Sequence, residues 1–311
     1  MQSLIPNVGG WLRFVRVEPM KVGLHISDFT WDGGAEELRF RLADIAQRAE
    51  LAGVDRISVM DHVWQIGPIG PPEHEMLEAY TALGWLAAKT ERVKLLTMVT
   101  AVVYREPGLL AKAMTTLDVL SGGRSILGIG AAWNEDEARG LGLLFPPTAE
   151  RFERLEEAIL ICKQMWSGSD APFEGKHYQL ARTLNSPQVL ARPHPPILIG
   201  GGGEKKTLRL VAQYADSCNI QFYDPAAAAH KLDVLRQHCA DVGRDYDEIE
   251  KTAQTRFDLG ENGEHVQRTI EQLHYASELG FSVAHGSLLG VSKARQQDFF
   301  LERIIPALEK F

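Results

Sequence analysis

Residues Leu95 to Glu135 read LLTMVTAVVYREPGLLAKAMTTLDVLSGGRSILGIGAAWNE, and this stretch decides the fold. Two short apolar runs, 93–99 and 125–130, have the length and composition of buried strands. Between them, Leu110, Ala113, Met114 and Leu117 recur at helical spacing, and the pair Gly122-Gly123 favours the left-handed backbone at a helix end. The stretch therefore predicts a strand–helix–strand unit with parallel strands and a right-handed crossover.

The same alternation of strand and helix continues along the chain. The eight predicted strands cover residues 21–26, 56–60, 93–99, 125–130, 197–199, 217–222, 252–259 and 282–289. Apolar residues at helical spacing separate them, with a rhythm of about 30 residues, which is typical of βαβ units. This pattern favours a (β/α)₈ TIM barrel, whose catalytic loops follow the strand C-termini, over a doubly wound sheet, the alternative that remains open.

Two segments do not fit this rhythm. Residues 168–196 contain several prolines and no helical period, so we interpret them as an insertion between the fourth helix and the fifth strand, with a hairpin and extended chain. Residues 1–19 lack the long apolar core of a signal peptide, and we expect them to form an N-terminal extension outside the fold. Residues 20–311 are then a single barrel domain.

Composition limits the class of partner. The 311-residue chain is 45% hydrophobic and has a net charge of −8, which argues against non-specific binding to nucleic acid. No apolar run reaches the ~18 residues of a membrane span. Cys162, Cys218 and Cys239 show no spacing typical of a disulfide framework, which favours a reducing, cytoplasmic setting. Asp61, His62 and Glu73–Glu75 lie close in sequence without the spacing of a metal site, so we expect no metal.

Several motifs resemble the luciferase-like monooxygenase superfamily, in particular its branch of oxidoreductases that depend on the deazaflavin coenzyme F420. The resemblance rests on Tyr104-Arg105-x-Pro107, Leu120-Ser121-Gly122-Gly123-Arg124, Leu127-Gly128-Ile129-Gly130, Met60-Asp61-His62 and the glycine run that begins at Gly200. It is dense over residues 20–219 and looser beyond them. It implies a TIM barrel, a hydride transfer between F420 and a small organic substrate, and a homodimer.

Asp61 and His62 are the expected catalytic pair. They end the second predicted strand, where barrel strands meet the active site. In the family that the chain resembles, the matching pair contacts the cofactor ring and the substrate. His62 can act as a general acid or base near neutral pH, and Asp61 can hydrogen-bond the ring. A bare Asp-His pair is common, and the alternative is an ordinary surface histidine.

The glycine run is the expected phosphate site. Gly200, Gly201, Gly202 and Gly203 precede a helix predicted over 204–214, and free N–H groups at a helix start bind phosphate. Four glycines exceed the need of a tight turn, which is the plainer interpretation. Lys205, with Lys206 and Arg209, can offset the negative charge of F420, or simply face solvent.

The remaining expected site residues lie at other strand ends. Met98-Val99 matches the family position that often holds a non-proline cis peptide against the deazaflavin ring. The other expected cofactor contacts are His25, Thr100, Ala131 and Asn134. Some family members carry a glutamate acid in the segment where this chain has Trp133, which we expect to wall the substrate pocket or to pack at its rim. Asn219 and Gln221 alternate along the sixth strand and should share a face, as ligand contacts near the barrel mouth.

Two other functions stay open at this point. An FMN-dependent monooxygenase of the same superfamily would use flavin reduced by a partner protein. A non-catalytic deazaflavin-binding or flavin-binding protein would bind cofactor without a kinetic role for His62. Polar residues at several strand ends favour an enzyme, because anchoring a phosphate does not require them.

Overall fold

The computed structural model describes residues 2–6, 12–16 and 19–309, and its centre is a closed barrel of eight parallel strands. The strands are β1 Lys21–Ile26, β2 Arg56–Val59, β3 Lys94–Thr97, β4 Ser125–Gly130, β5 Ile197–Gly200, β6 Ser217–Gln221, β7 Glu250–Phe257 and β8 Val283–Leu288. Each strand pairs with its sequence neighbour, and β8 pairs with β1 to close the barrel. The predicted TIM barrel is confirmed.

Helices separate the strands in sequence. They are α1 Gly34–Leu51, α2 Ala79–Ala87, α3 Pro107–Ser121, α4 Glu135–Gly140, α5 Thr148–Trp166, α6 Thr207–Tyr214, α7 Pro225–Val242, α8 Val266–Glu278, α9 Ala294–Phe299 and α10 Ile305–Leu308. Their apolar faces pack on the strands in one hydrophobic core. At the end of α3, Gly122 has a φ of 72°, so the expected left-handed stop is present.

Three boundaries differ from those that the sequence predicts. The third strand, predicted over 93–99, ends at Thr97, and a short strand Thr100–Ala101 then pairs with β4. The helix predicted over 204–214 begins only at Thr207, after a turn. The last helix is interrupted by a π turn at Phe300–Ile304, just before Pro306, whose ring and missing N–H disfavour regular α-helix in the preceding turn.

The segment 168–196 has the expected hairpin, formed by Phe173–Glu174 and Gln179–Leu180. Carboxylates on the barrel helices hold this segment by its backbone. Asp118 on α3 accepts hydrogen bonds from the N–H groups of Leu190 and Ala191, at 2.6 and 3.1 Å. Three further backbone N–H groups of the hairpin turn donate to a carboxylate on α5. The insertion is therefore tied to the barrel along most of its length.

At the N-terminus, Gln2–Pro6 and Leu12–Arg16 form a two-stranded antiparallel sheet. Within the part of the chain that the structure describes, these strands pair only with each other. Residues 1, 7–11, 17–18 and 310–311 lie outside the described residues. The prediction that residues 1–19 are an extension outside the barrel domain stays a prediction.

Candidate functional site

His62 is the third residue after the end of β2, and it contacts a buried carboxylate that no sequence motif predicted. Its Nδ1 is 2.6 Å from Oε2 of Glu137, the third residue of α4. The His62 side chain keeps 13% of its surface exposed, whereas that of Glu137 keeps none. The imidazole thus meets solvent at the end of β2 while a fixed negative group stands behind it.

Glu137 is the centre of a hydrogen-bond network at this end of the barrel. The N–H groups of Val63 and Trp64 donate to Oε1, the latter at 3.0 Å. Tyr104 Oη and Asn134 Nδ2 lie 2.8 and 3.1 Å from Oε2. Burial opposes ionisation of this carboxyl, but the hydrogen bonds from His62, Val63 and Tyr104 outweigh it and lower its pKa. Glu137 is therefore ionised at neutral pH.

Asp61 is buried beside His62 and is only half satisfied. Its Oδ2 accepts a hydrogen bond from Arg105 Nη1 at 2.6 Å and from the Ala101 N–H at 3.3 Å. Its Oδ1 is buried and has no hydrogen-bond partner among the described residues. Burial raises the pKa of Asp61, and the opposing charge of Arg105 offsets this only in part. A buried oxygen without a donor is costly, so this atom points to a ligand that donates to it.

The segment after β3 carries the other predicted cofactor contacts. The peptide bond between Met98 and Val99 is cis, as the family resemblance implied. Around it, hydroxyl groups form a chain: Tyr80 Oη lies 2.6 Å from Thr100 Oγ1, which lies 2.7 Å from Thr97 Oγ1. Burial raises the pKa of Tyr80, so this chain is neutral.

The Val99 side chain packs against the ends of two strands, and it fits there because each of these ends is a glycine. A Cβ added at Gly130, the end of β4, would lie 2.9 Å from Val99 Cγ2. One added at Gly200, the end of β5, would lie 2.8 Å from Val99 Cγ1. The bulge after β3 therefore reaches across to β4 and β5, and it brings the Met98-Val99 peptide next to the start of the glycine run.

Past Gly200, which ends β5, the glycine run is a partly exposed loop that does not lead directly into a helix. Gly201 has a φ of 113° and donates its N–H to the Asn219 carbonyl at 3.0 Å. Because α6 begins at Thr207, the interpretation of Gly203 as leading directly into the helix is wrong. The positive φ of Gly201 and the three-residue turn that follows Gly203 delay the helix.

Lys231 on α7 lies over this loop, and sequence reasoning missed it. A Cβ added at Gly202 would lie 2.5 Å from Lys231 Nζ. The lysine is half-buried, and its Nζ forms no hydrogen bond or ion pair with any residue that the structure describes. Lys205, by contrast, is exposed. The ammonium group that lies against Gly202 therefore belongs to Lys231 on α7, and not to a lysine that directly follows the glycine run.

The other predicted residues occupy three different settings. His25 is buried in β1, where its Nδ1 lies 2.9 Å from Ser58 Oγ, and burial lowers the pKa of His25 to about 4. Trp133 is 61% exposed and presents its ring to His62 in an edge arrangement, with centroids 5.6 Å apart. Asn219 is buried and donates to Thr252 Oγ1 at 2.9 Å, whereas Gln221 at the strand end is exposed.

Ala131 and Ala132 form the turn between β4 and Trp133. The Ala131 carbonyl accepts a hydrogen bond from Arg151 Nε at 2.9 Å, and Ala132 has a φ of 62°. This left-handed residue redirects the chain, so that Trp133 lies against His62 and Asn134 against Glu137. Asn134 thus serves the carboxylate network with its amide N–H.

Neither a cluster suited to metal binding nor a membrane-spanning helix is found over residues 2–6, 12–16 and 19–309. No three His, Cys, Asp or Glu side chains there are grouped in a way that could hold a metal ion. No helix in this region combines the length and apolarity needed to cross a bilayer.

The chain is similar in sequence to named relatives and in fold to several solved structures. An F420-dependent glucose-6-phosphate dehydrogenase of Kineococcus radiotolerans is 37% identical over 194 residues, 61% of this chain and 53% of that protein. The chain thus spans little more than half the length of this relative. A structure of an F420-dependent secondary alcohol dehydrogenase with an F420-acetone adduct superposes with a TM-score of 0.78 at 18% identity, over 94% of this chain and 99% of that one.

The same fold also accommodates flavin chemistry. A riboflavin lyase solved with modified FMN has a TM-score of 0.77 at 13% identity, and covers 94% of this chain and 92% of its own. At these identities, the structural likeness shows the fold alone. The family model for luciferase-like monooxygenases, however, matches residues 20–300. This chain belongs to the luciferase-like monooxygenase family.

Proposed function

We propose that the protein is an F420-dependent oxidoreductase that acts on a small organic molecule. The observation that carries the proposal is the buried Oδ1 of Asp61, which has no donor within the described residues and lies beside the segment after Met98-Val99. An N–H or O–H group at the edge of a deazaflavin ring would satisfy it. The aligned relative that is named for F420 favours the deazaflavin over FMN.

The residues present fit such a cofactor. Asp61 would hold the ring edge, and the Met98-Val99 bulge with Thr100 would support the ring. The glycine run would bind the phosphate. When bound, the deazaflavin supplies the hydride acceptor or donor. His62 would bind or release the proton at Nε2, because Nδ1 is engaged by Glu137. Trp133, with 61% of its surface exposed, would wall the substrate side.

An FMN-dependent monooxygenase is the second candidate, since the fold also occurs in a protein solved with modified FMN. A carrier that binds cofactor without turnover is the third. Comparing F420 with FMN in binding experiments separates the first two. To separate an enzyme from a carrier, the protein loaded with its preferred cofactor is mixed with each member of a panel of alcohols and sugar phosphates. The absorbance of the cofactor then shows whether the compound reacts with it. Reduction of bound F420 by one of these compounds would support the enzyme. Absence of reduction by every compound of the panel would favour the carrier.

The proposal extends to the setting of the protein. We expect a cytoplasmic homodimer: the cysteine pattern favours a cytoplasmic setting, and the family resemblance implies a homodimer. Phe40 on α1 and Trp85 on α2 are 55% and 38% exposed and line one surface depression. Charged and polar side chains surround them, and exposed aromatic side chains with a polar rim are typical of an interface between subunits. Light scattering from the purified protein tests this, and a monomer at micromolar concentration would contradict it.

Replacing Lys231 with methionine is expected to weaken F420 binding by about 10–100-fold. A hydrogen bond to a charged group contributes about 1.5–3 kcal/mol, and Lys231 offers the ammonium nearest to Gly202. The matched probe is the 5-deazariboflavin that lacks the phosphate, whose affinity should not change. Fluorescence titration of both ligands measures the effect.

The control for this prediction is Lys205→Met, which removes an exposed ammonium from the same loop. It should lower F420 affinity by less than threefold, since exposed charges contribute little. Equal losses of the phosphate-free ligand and of F420 in the Lys231 variant would contradict a phosphate contact and indicate a general effect on the fold.

A further inference from the structure

The five hydrogen bonds to Glu137 decide which protons its neighbours carry. An ionised carboxylate has only acceptor sites. Two backbone N–H groups already donate to it, and so do the side chains of Tyr104 and Asn134. Histidine can join this set only as a donor. The 2.6 Å contact between His62 Nδ1 and Oε2 therefore places a proton on Nδ1.

The proton on Nδ1 leaves Nε2 of neutral His62 with its lone pair free. No residue of the described chain forms a hydrogen bond with Nε2, and 13% of the side chain remains exposed. Nε2 is then the atom that meets a substrate proton. When it accepts that proton, the resulting imidazolium faces the ionised, buried Glu137 on its other side, which stabilises the charge.

We propose that Glu137 is a positioning residue that fixes the Nδ1–H tautomer and the ring orientation of His62. This rests on the proposed function for the identity of the reaction, but the tautomer itself is a property of the protein alone. Glu137 has no exposed surface of its own, so it does not touch the substrate. It acts through His62, and its five donors come from three segments around the barrel mouth: His62–Trp64, Tyr104 and Asn134.

The geometry also gives Asn134 and Tyr104 a role within the protein, and the predicted cofactor contact of Asn134 stays a prediction. Both donate hydrogen bonds to Oε2 of Glu137. A buried carboxylate with all its sites used has no freedom to turn away from His62. The imidazole plane is thereby held relative to β2, and the Trp133 ring packs against it in an edge arrangement.

The Glu137→Gln variant tests the proposal because it keeps the shape and changes the donor pattern. The backbone N–H groups of Val63 and Trp64 can still donate to the amide oxygen. The amide N–H₂ then faces His62 Nδ1, which must become an acceptor, so the proton moves to Nε2. Two-bond ¹H–¹⁵N spectra of ¹⁵N-histidine-labelled protein at alkaline pH distinguish the two tautomers, and a His62→Gln variant assigns the signals.

We expect the Nδ1–H tautomer in the wild type and the Nε2–H tautomer in Glu137→Gln. The control, Glu135→Gln, changes an exposed carboxylate on the same helix and should leave the spectrum unchanged. An Nε2–H signal from His62 in the wild type would overturn the proposal, even if the Gln variant does not fold. So would a folded Gln variant whose His62 signals match those of the wild type.

Turnover provides a second readout once a substrate is found. A histidine locked in the wrong tautomer lowers kcat by about 10⁴-fold in serine proteases, so we expect a loss of kcat of at least ~10²-fold in Glu137→Gln with KM little changed. Unchanged kcat would overturn the role. F420 affinity should remain within about threefold of wild type, so failure of the cofactor assignment would show separately, as absence of F420 binding in the wild type.

Discussion

Replacing His62 with alanine is expected to lower turnover by about 10²–10⁴-fold while cofactor affinity is largely retained. General acid–base catalysis typically contributes an effect of this size. His62 contacts Glu137 and Trp133 and presents Nε2 to the open end of the site, whereas Asp61 and the Met98-Val99 bulge provide the expected contacts to the cofactor ring. Rapid-mixing absorbance of bound F420 measures the hydride step directly.

The control for this variant is His265→Ala, which removes an exposed histidine paired with Asp258 at 3.4 Å. It should leave both turnover and its pH dependence unchanged. A packing role for His62 predicts a different result, with weaker cofactor binding and little change in rate. If His62→Ala turns over at the wild-type rate with the wild-type pH profile, a water, Asp61 or His25 carries the proton instead.

The barrel should lose stability in mild acid through two buried histidines. Burial, with the nearby charge of His62 adding to it, lowers the pKa of His25 to about 4, although its bond to Ser58 acts in the opposite direction. Burial and the charge of Arg56 lower the pKa of His285 well below its usual value. In the unfolded chain both return to ~6.5. Below that pH the unfolded state binds protons that the folded state excludes.

The direction of the change in unfolding free energy with pH follows from this difference in proton uptake. The stability due to neutral His25 is fully present above pH ~6.5 and is lost as the pH falls towards 4. The difference between pKa values of about 4 and 6.5 corresponds to about 3 kcal/mol of unfolding free energy. His285 adds a loss in the same direction. Chemical denaturation at several pH values between 7 and 4 measures the total.

The His25→Gln variant isolates the contribution of His25. The amide keeps a group able to hydrogen-bond Ser58 but does not titrate, so the unfolding free energy of the variant should fall by about 3 kcal/mol less than that of the wild type across this range. His265→Gln serves as the control, because that histidine is exposed. Parallel pH curves for wild type and His25→Gln would rule out His25 as a source of acid sensitivity.

The barrel could be predicted because its signal is local and repeated. Each buried strand is a short apolar run, and each helix shows its own period, so the eight units are visible in sequence. Even the end of α3 is marked by Gly122. The start of α6 was less predictable: the chain needs a turn after Gly203 before the helix can begin, and Glu204 at that position looks like an ordinary helix start.

The site could be predicted only in part, since its key contacts are set by the tertiary structure. Glu135, Asp136 and Glu137 form an acidic run that looks like a solvated first turn, yet only the last of them is buried. Which carboxylate turns inward depends on the left-handed Ala132 that precedes the short helix. Lys231 is similarly hidden in sequence, because it reaches the glycine run from α7 across the packed helices.

The positions of the buried residues His25 and His285 in the barrel also depend on strand register. In β8, His285 lies opposite Gly23 of β1, where the missing side chain leaves room for the imidazole. His25 lies two residues after Gly23 in β1. The strand end predicted His25 as a cofactor contact, and this stays a prediction. In the structure His25 is 5% exposed and its Nδ1 contacts Ser58 Oγ.

Titration of the purified protein with F420 and FMN side by side tests the central claim most directly. Fluorescence of each ligand reports binding without any knowledge of the substrate. The account predicts that F420 binds more tightly than FMN, as expected from the relative named for that cofactor and from the fit of Asp61 and the glycine run. Binding of FMN at least tenfold tighter than F420, about 1.4 kcal/mol in favour of the flavin, would contradict it.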